Sequence, residues 1–197
     1  MEDFISFFLI LIVITILYIH LEAKSLEVKY IKSNIDNNVY LVRNEPNKQI
    51  AANILANIRK NLTKIVEHLK NKNQTNNNSE KYEAINFLLK NYRPQNISES
   101  SPNNKYTSYS INKGEKIVFC LRSKNTNKIE NMNILLFVAI HELAHLMTKE
   151  VGHPPEFWDN MKYLLKTAKK IGINVKTDYY KNPVTYCGTK ITDSPLK

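Results

Sequence analysis

Two histidines and a glutamate lie within five residues of one another in an otherwise apolar stretch of the chain. Between residues 134 and 147, only His141, Glu142 and His145 are polar. As a helix, this segment would be buried on nearly all sides. Burying a polar group without a partner costs at least about 2 kcal/mol, so three such groups need compensation. A bound metal ion would provide it.

The spacing of the three polar residues gives each a separate chemical task. His141 and His145 are about 6 Å apart along a helix axis and on one face, so both imidazoles can bind one ion. Glu142 points about 100° around the helix, where its carboxylate can take a proton from a water molecule in the open position of the metal. This His-Glu-x-x-His pattern is the zinc-peptidase motif, which predicts Glu142 as the catalytic general base. A hydrogen-bonded pair of core histidines is the alternative.

A catalytic zinc ion commonly takes three protein ligands, so the motif needs one more. We predict His153, because Gly152 can adopt the left-handed conformation that turns the chain back toward the metal. Glu156, at the start of the next predicted helix, is the second candidate. Glu150 is a weaker one, because five residues after His145 it lies on a different helical face.

His-Glu-Leu-Ala-His, followed by Gly-His-Pro-Pro-Glu-Phe-Trp at residues 152–158, resembles the WLM and SprT-like metallopeptidases. In those families a short loop leads from the second zinc histidine to a Gly-His-x-x-x-Phe segment that carries the third. The resemblance covers residues 134–165 and implies a zincin-like fold, Zn²⁺ as cofactor and a protein or peptide substrate. It implies His141, His145 and His153 as ligands and Glu142 as the base. Members often cleave proteins crosslinked to DNA.

Hydrophobic periodicity, turn residues and prolines predict the elements that must position this site. The expected strands are residues 27–32, 38–43, 106–111 and 116–121, and the expected helices are 46–70, 79–92 (capped by Ser79) and 156–170. Residues 71–79 and 95–105 read as loops. The predicted fold is therefore α+β, with a small antiparallel sheet packed on the active-site helix. The hairpin before that helix either holds an extended substrate at its edge or is purely structural.

The N-terminus predicts a transmembrane helix. Residues 4–21 contain no Asp, Glu, Lys or Arg and would span about 27 Å, enough for a bilayer core, with His20 as the one side chain able to take up a proton. Because Glu2 and Asp3 precede the span and no small-residue cleavage site follows, we predict a retained anchor at residues 1–23 and not a cleaved signal peptide. Lys24 and Lys29 follow the span, which places the domain at residues 24–197 on the cytosolic side. Four glycosylation sequons argue for the opposite side but are expected by chance in an Asn-rich chain.

The net charge and the cysteine content indicate which partners and which cellular compartment the protein could have. The formal net charge of +10 would attract nucleic acid or anionic lipid, but no arginine cluster or aromatic platform supports a nucleic-acid site. In its bias toward Asn and Lys the chain resembles proteins of large DNA viruses. The membrane that it spans would then be that of a virion. Cys120 and Cys187 are predicted to be free thiols in a reducing compartment, with a single bridge as the alternative. Tyr186, in an aromatic tail, is predicted to fold over the cleft and donate a hydrogen bond to the oxyanion.

The function predicted from these features is a zinc-dependent endopeptidase. Two other classes stay open: a zinc-stabilised, inactive module that tethers nucleic acid or a protein partner to a membrane, and a membrane structural protein that carries the motif as a relic. The sequence does not determine the oligomeric state.

Overall fold

The computed structural model describes residues 2–75 and 80–196. In chain order its elements are α1 Glu2–Glu27, β1 Val28–Lys32, β2 Val39–Arg43, α2 Lys48–Thr75, α3 Tyr82–Asn91, β3 Ile97–Glu99, β4 Tyr109–Ile111, β5 Lys116–Phe119, α4 Met132–Met147, α5 Pro155–Lys170, β6 Val184–Tyr186 and β7 Thr189–Ile191. A short 3₁₀ turn at Pro94–Asn96 precedes β3. This mixture of helices and small sheets confirms the predicted α+β class.

The strands form one mixed sheet and two hairpins within the described ranges. The mixed sheet has the order β3-β5-β4, with β3 parallel and β4 antiparallel to the central β5. The hairpins are β1–β2 and β6–β7, both antiparallel. The expectation of a purely antiparallel sheet was wrong, because β3 lies in the segment expected to be a loop. Its polar residue Glu99 is buried between the backbone N–H of Arg43 and the guanidinium of Arg122, each 2.7 Å from a carboxylate oxygen.

Helix α4 is the central helix of the domain and packs against α2, α3 and α5. The side chain of Asn131 caps its first turn by accepting a hydrogen bond from the N–H of Asn133 at 2.9 Å. Its last carbonyls accept hydrogen bonds from neighbouring helices: Asn91 donates to Leu146 and Asn160 to Met147, both at 3.2 Å. The helix ends at Met147, so Gly152 lies beyond its end.

Helices α2 and α3 depart from the predicted boundaries. Pro46 precedes α2 instead of lying in its first turn, and α2 continues to Thr75, five residues beyond the predicted end. The extension is stabilised by tertiary contact, because Asn73 is buried and its amide donates to the side-chain oxygen of Asn86 in α3 at 2.8 Å. Helix α3 is described from Tyr82, and the predicted cap Ser79 lies outside the described residues.

Helix α1 is long and apolar enough to cross a membrane. Its segment Phe4–Glu22 has a mean hydropathy of 2.7, and none of that segment is buried inside the protein. An N-terminal signal sequence would pass the same test of length and composition. The helix continues beyond this candidate span to Glu27, and strand β1 begins directly after it at Val28.

Cys120 and Cys187 form a disulfide bond, so the prediction of free thiols was wrong. The two cysteines are 67 residues apart in sequence. They meet because the C-terminal tail returns to the end of β5, where the hydroxyl of Tyr186 donates to the carbonyl of Cys120 at 2.8 Å. The bond joins the β6–β7 hairpin to the mixed sheet. Because disulfides persist in oxidising compartments, it also weighs against the reducing compartment that we predicted.

Removing this disulfide is expected to destabilise the fold. Closure of a loop of this length is worth about 4 kcal/mol of chain entropy. We therefore expect the double variant Cys120→Ser, Cys187→Ser to lose about 2–4 kcal/mol of unfolding free energy, measured by denaturant titration without reductant. A reductant should destabilise the parent protein and leave the double variant unchanged. Equal stability of the two proteins under oxidising conditions would contradict the prediction.

Candidate metal centre

Three histidine nitrogens face a common point. The Nε2 atom of His141 lies 3.2 Å from that of His145 and 3.1 Å from that of His153. The ligating atoms of all three lie within 4.8 Å of one another. Nitrogens bound tetrahedrally to one zinc ion at about 2.0–2.1 Å are about 3.3 Å apart, so the cluster fits a metal ion. Among the described residues this cluster contains neither Glu150 nor Glu156.

The local sequence explains how the third histidine reaches the other two. His141 and His145 are one turn apart on α4, and the chain leaves that helix at Thr148 in an extended conformation. Gly152 then adopts a left-handed conformation with φ of 86°, which most side chains disfavour, and returns the chain so that His153 faces α4. The glycine therefore makes the predicted turn, although it lies beyond the end of the helix.

The turn between β4 and β5 holds this loop in place. The Lys113 ammonium donates to the carbonyls of Thr148 at 2.7 Å and Glu150 at 2.6 Å. Gly114 allows this turn to approach the end of α3 closely, because a Cβ at this position would lie 2.4 Å from the carbonyl oxygen of Asn91. The sequence identified the turn but not the role of the lysine, since its partners lie about 35 residues away in sequence.

Removing the Lys113 ammonium should weaken metal binding while the fold persists. Lys113→Met keeps most of the aliphatic stem but leaves the Thr148 and Glu150 carbonyls without their donor. Because groups that support metal ligands typically contribute 10–100-fold to affinity, we expect a loss of about tenfold, measured by chelator competition. Lys116→Met, on exposed β5 surface, is the matched control. Metal affinity equal to that of the parent would show that the loop does not depend on this lysine.

Phe157 packs against all three imidazoles. Its ring centroid lies 4.9 Å from that of His141, 4.5 Å from His145 and 4.6 Å from His153, and the side chain is fully buried. Trp158 lies beside it, with its ring 5.8 Å from that of His153. The first turn of α5 therefore fixes the orientation of the histidine rings by apolar contact.

Glu142 is buried beside the histidines and has an unused oxygen. The side chain is 3% exposed, and its Oε2 atom has no hydrogen-bond partner among the described residues. Burial raises the pKa of this carboxyl to about 8, whereas burial lowers the pKa of His141 to about 3 and that of His145 to about 4. The two imidazoles are thus neutral, as metal ligands must be, and a cation held by them would favour the ionised carboxylate.

The cluster lies at the base of an open cleft with two halves. One half has a volume of about 350 Å³ and extends toward β6 and β7, and the other, of about 610 Å³, extends toward the β4–β5 turn. Five residues line both: Thr107, Ser108, His141, Glu142 and His153. A ligand in either half would therefore lie beside the histidines and the glutamate.

Tyr186 lines the cleft, as the predicted folding back of the tail requires, but its proton is engaged elsewhere. The hydroxyl donates to the carbonyl of Cys120 at 2.8 Å and lies 2.6 Å from the Ser108 hydroxyl. Ser108 in turn accepts from the backbone N–H of Cys120 at 3.1 Å, which closes a ring of hydrogen bonds. The predicted role as oxyanion donor would require this ring to open.

An α+β domain whose central helix carries His-Glu-x-x-His, with a third histidine returned by the following loop, defines a metallopeptidase-like class of protein. The family model of the WLM domain matches residues 34–196. The chain belongs to the WLM family, as the resemblance in its second half indicated.

Relatives occur in large DNA viruses. Uncharacterized protein R325 of Acanthamoeba polyphaga mimivirus is 36% identical over 190 residues, which covers 96% of this chain and 94% of the relative. Uncharacterized protein 136R of Invertebrate iridescent virus 6 is 35% identical over 83 residues, or 41% of this chain and 44% of the relative. Among solved structures, Wss1 from Saccharomyces cerevisiae aligns with 64% of this chain and 83% of its own at 18% identity and a TM-score of 0.44. The viral relatives agree with the compositional resemblance to such proteins.

Proposed function

We propose that this chain is a zinc-dependent endopeptidase. The observation that carries the proposal is the convergence of three histidine nitrogens beside a buried glutamate oxygen that lacks a partner, at the base of an open cleft. A purely structural helix gains nothing from this arrangement, because it leaves a buried carboxyl oxygen without compensation. Membership of the WLM family supports the same reading.

In the proposed mechanism His141, His145 and His153 would hold the zinc ion. A zinc ion bound there would supply a Lewis acid for the scissile carbonyl and would lower the pKa of a water ligand toward about 7. Glu142 accepts the proton of the attacking water and later passes it to the leaving amine. Burial of Glu142 keeps bulk solvent away from this proton.

Strand β4 is the part of the predicted hairpin that we propose as the substrate-binding edge. Within the described chain it pairs with β5 alone, whereas β5 is central and has strands on both sides. Ser110 in β4, with Thr107 and Ser108 just before it, lines the cleft. An extended peptide can therefore add to this edge by main-chain hydrogen bonds, which places its backbone beside the histidines.

Three imidazole ligands favour zinc, but they can also bind other transition metals. Imidazole nitrogens suit Zn, Cu, Fe and Ni, so elemental analysis of the purified chain is the first test, and we expect about one zinc per chain. An absence of transition metal would instead favour the structural-protein alternative.

Hydrolysis is tested with the full chain in detergent and an unfolded protein substrate such as reduced casein. We expect degradation that o-phenanthroline abolishes and added zinc restores. Gel electrophoresis and mass spectrometry measure the degradation. A chelator that does not bind transition metals should have no effect. Zinc-loaded protein that leaves the substrate intact would favour the second candidate, a membrane-tethered binding module.

We further propose that residues 1–23 anchor the domain at residues 24–197 to a membrane. The lysines that follow the span favour the cytosolic side for the domain. The disulfide instead favours an oxidising compartment. A virion membrane agrees with the viral relatives. Protease protection of intact membranes, with and without detergent, distinguishes the two sides. A nucleic-acid partner rests on net charge alone and is not proposed.

A further inference from the structure

The two halves of the cleft differ in chemistry. The half near β6 and β7 has an apolar floor formed by residues of α4, α5 and β7: Phe137, Val138, Trp158, Met161 and Ile191. The polar residues Thr189, Lys190, Thr192 and Asp193 line it from the C-terminal hairpin and the residues after it. The other half is lined instead by polar residues of β4 and its turn, including Ser110, Asn112 and Lys113.

The apolar floor lies next to the reacting groups. Val138 is three residues before His141 and four before Glu142, so its side chain lies next to both on the surface of α4. Phe137 and Met161, which are 4% and 1% exposed, form buried parts of the same floor. A group bound here would therefore adjoin the scissile bond.

We infer that this half of the cleft is a subsite for one bulky apolar side chain next to the scissile bond. The inference rests on the proposed function and gives its substrate class: flexible protein segments with leucine, isoleucine, methionine or phenylalanine at that position. A charged side chain would lose its hydration against this floor, because the floor is apolar and the Tyr186 hydroxyl is already hydrogen-bonded. An acidic side chain would also lie near Glu142.

The wall of the subsite is held in place before substrate binds. The disulfide between Cys120 and Cys187 and the hydrogen bond from Tyr186 to Cys120 join the β6–β7 hairpin to the end of β5. Ile191 in β7 faces the cleft from that hairpin. A preformed wall loses little conformational entropy on binding, which favours selection by shape.

The test compares peptides that differ only at the residue beside the scissile bond. A site of this kind discriminates about 10–200-fold between side chains of different apolar size, so we expect kcat/KM for leucine to exceed that for glycine, aspartate or lysine at least about tenfold. Ile191→Trp and Val138→Phe each add volume to the subsite, from β7 and α4 respectively. Each should lower the ratio of kcat/KM for the leucine peptide to kcat/KM for the alanine peptide about tenfold. Ile35→Trp, a half-exposed residue lining neither half, is the matched control and should behave as the parent.

A binding measurement separates this inference from the proposed function. Zinc-loaded Glu142→Gln should bind the leucine peptide at least about fivefold more tightly than the glycine peptide, measured by fluorescence anisotropy. If the parent cleaves no peptide but this preference is present, the endopeptidase proposal fails and the subsite stands. If the parent cleaves all peptides equally, or both filling variants retain the parent preference, the subsite is overturned and the endopeptidase proposal stands.

Discussion

Glu142→Gln is expected to abolish hydrolysis while the protein keeps its metal. Glutamine has nearly the same shape as glutamate but cannot accept the proton of the attacking water. General base catalysis contributes about 10²–10⁴-fold, so we expect kcat/KM on a protein substrate to fall by at least about 100-fold. Glu142 is not part of the histidine cluster, and elemental analysis should therefore find the same zinc content as in the parent.

Glu156→Gln is the matched control for this experiment. Glu156 lies in the first turn of α5, close to the site in sequence, and was the second candidate for the third ligand, but it lies outside the cluster of histidines. This variant should retain zinc and activity. A Glu142→Gln protein that cleaves as fast as the parent would overturn the proposed mechanism, and loss of zinc from Glu156→Gln would restore the alternative ligand.

His141→Ala is expected to lose the metal, and the measurement does not depend on activity. A ligand at 100 times its dissociation constant stabilises the folded state by about 2.7 kcal/mol. For a chain of this size each kcal/mol shifts Tm by about 2–4 °C, so zinc should raise the parent Tm by about 5–10 °C. His141→Ala should show no such shift, because the Nε2 atom that lies closest to both other nitrogens is gone.

His68→Ala provides the matched control for metal loss. His68 lies on α2 and does not belong to the cluster, so its removal should leave the zinc-dependent rise in Tm unchanged. If His141→Ala still binds zinc with parent affinity and stabilisation, the three histidines do not form the metal centre, and the enzyme proposal falls with it.

The sequence by itself determined the arrangement of the polar groups on α4. The relative positions of His141, Glu142 and His145 follow from the helical repeat, which is a local property, and the apolar flanks predicted the burial that is observed. The turn at Gly152 could also be predicted from the local sequence, because a left-handed conformation favours glycine. Helices α4 and α5 accordingly lie close to their predicted positions.

Only the tertiary structure decided how that helix is enclosed. Strand β3 was missed because its charged residue Glu99 is buried through partners far away in sequence, Arg43 and Arg122. The disulfide, the Lys113 contacts and the β6–β7 wall likewise join segments separated by tens of residues. Hydrophobic periodicity and turn preference depend on residues that are close in sequence, so they identify the polar groups that share a helix and the turn that follows it. Long-range pairing decides which other groups surround them, because it depends on the free energy of the whole packed domain.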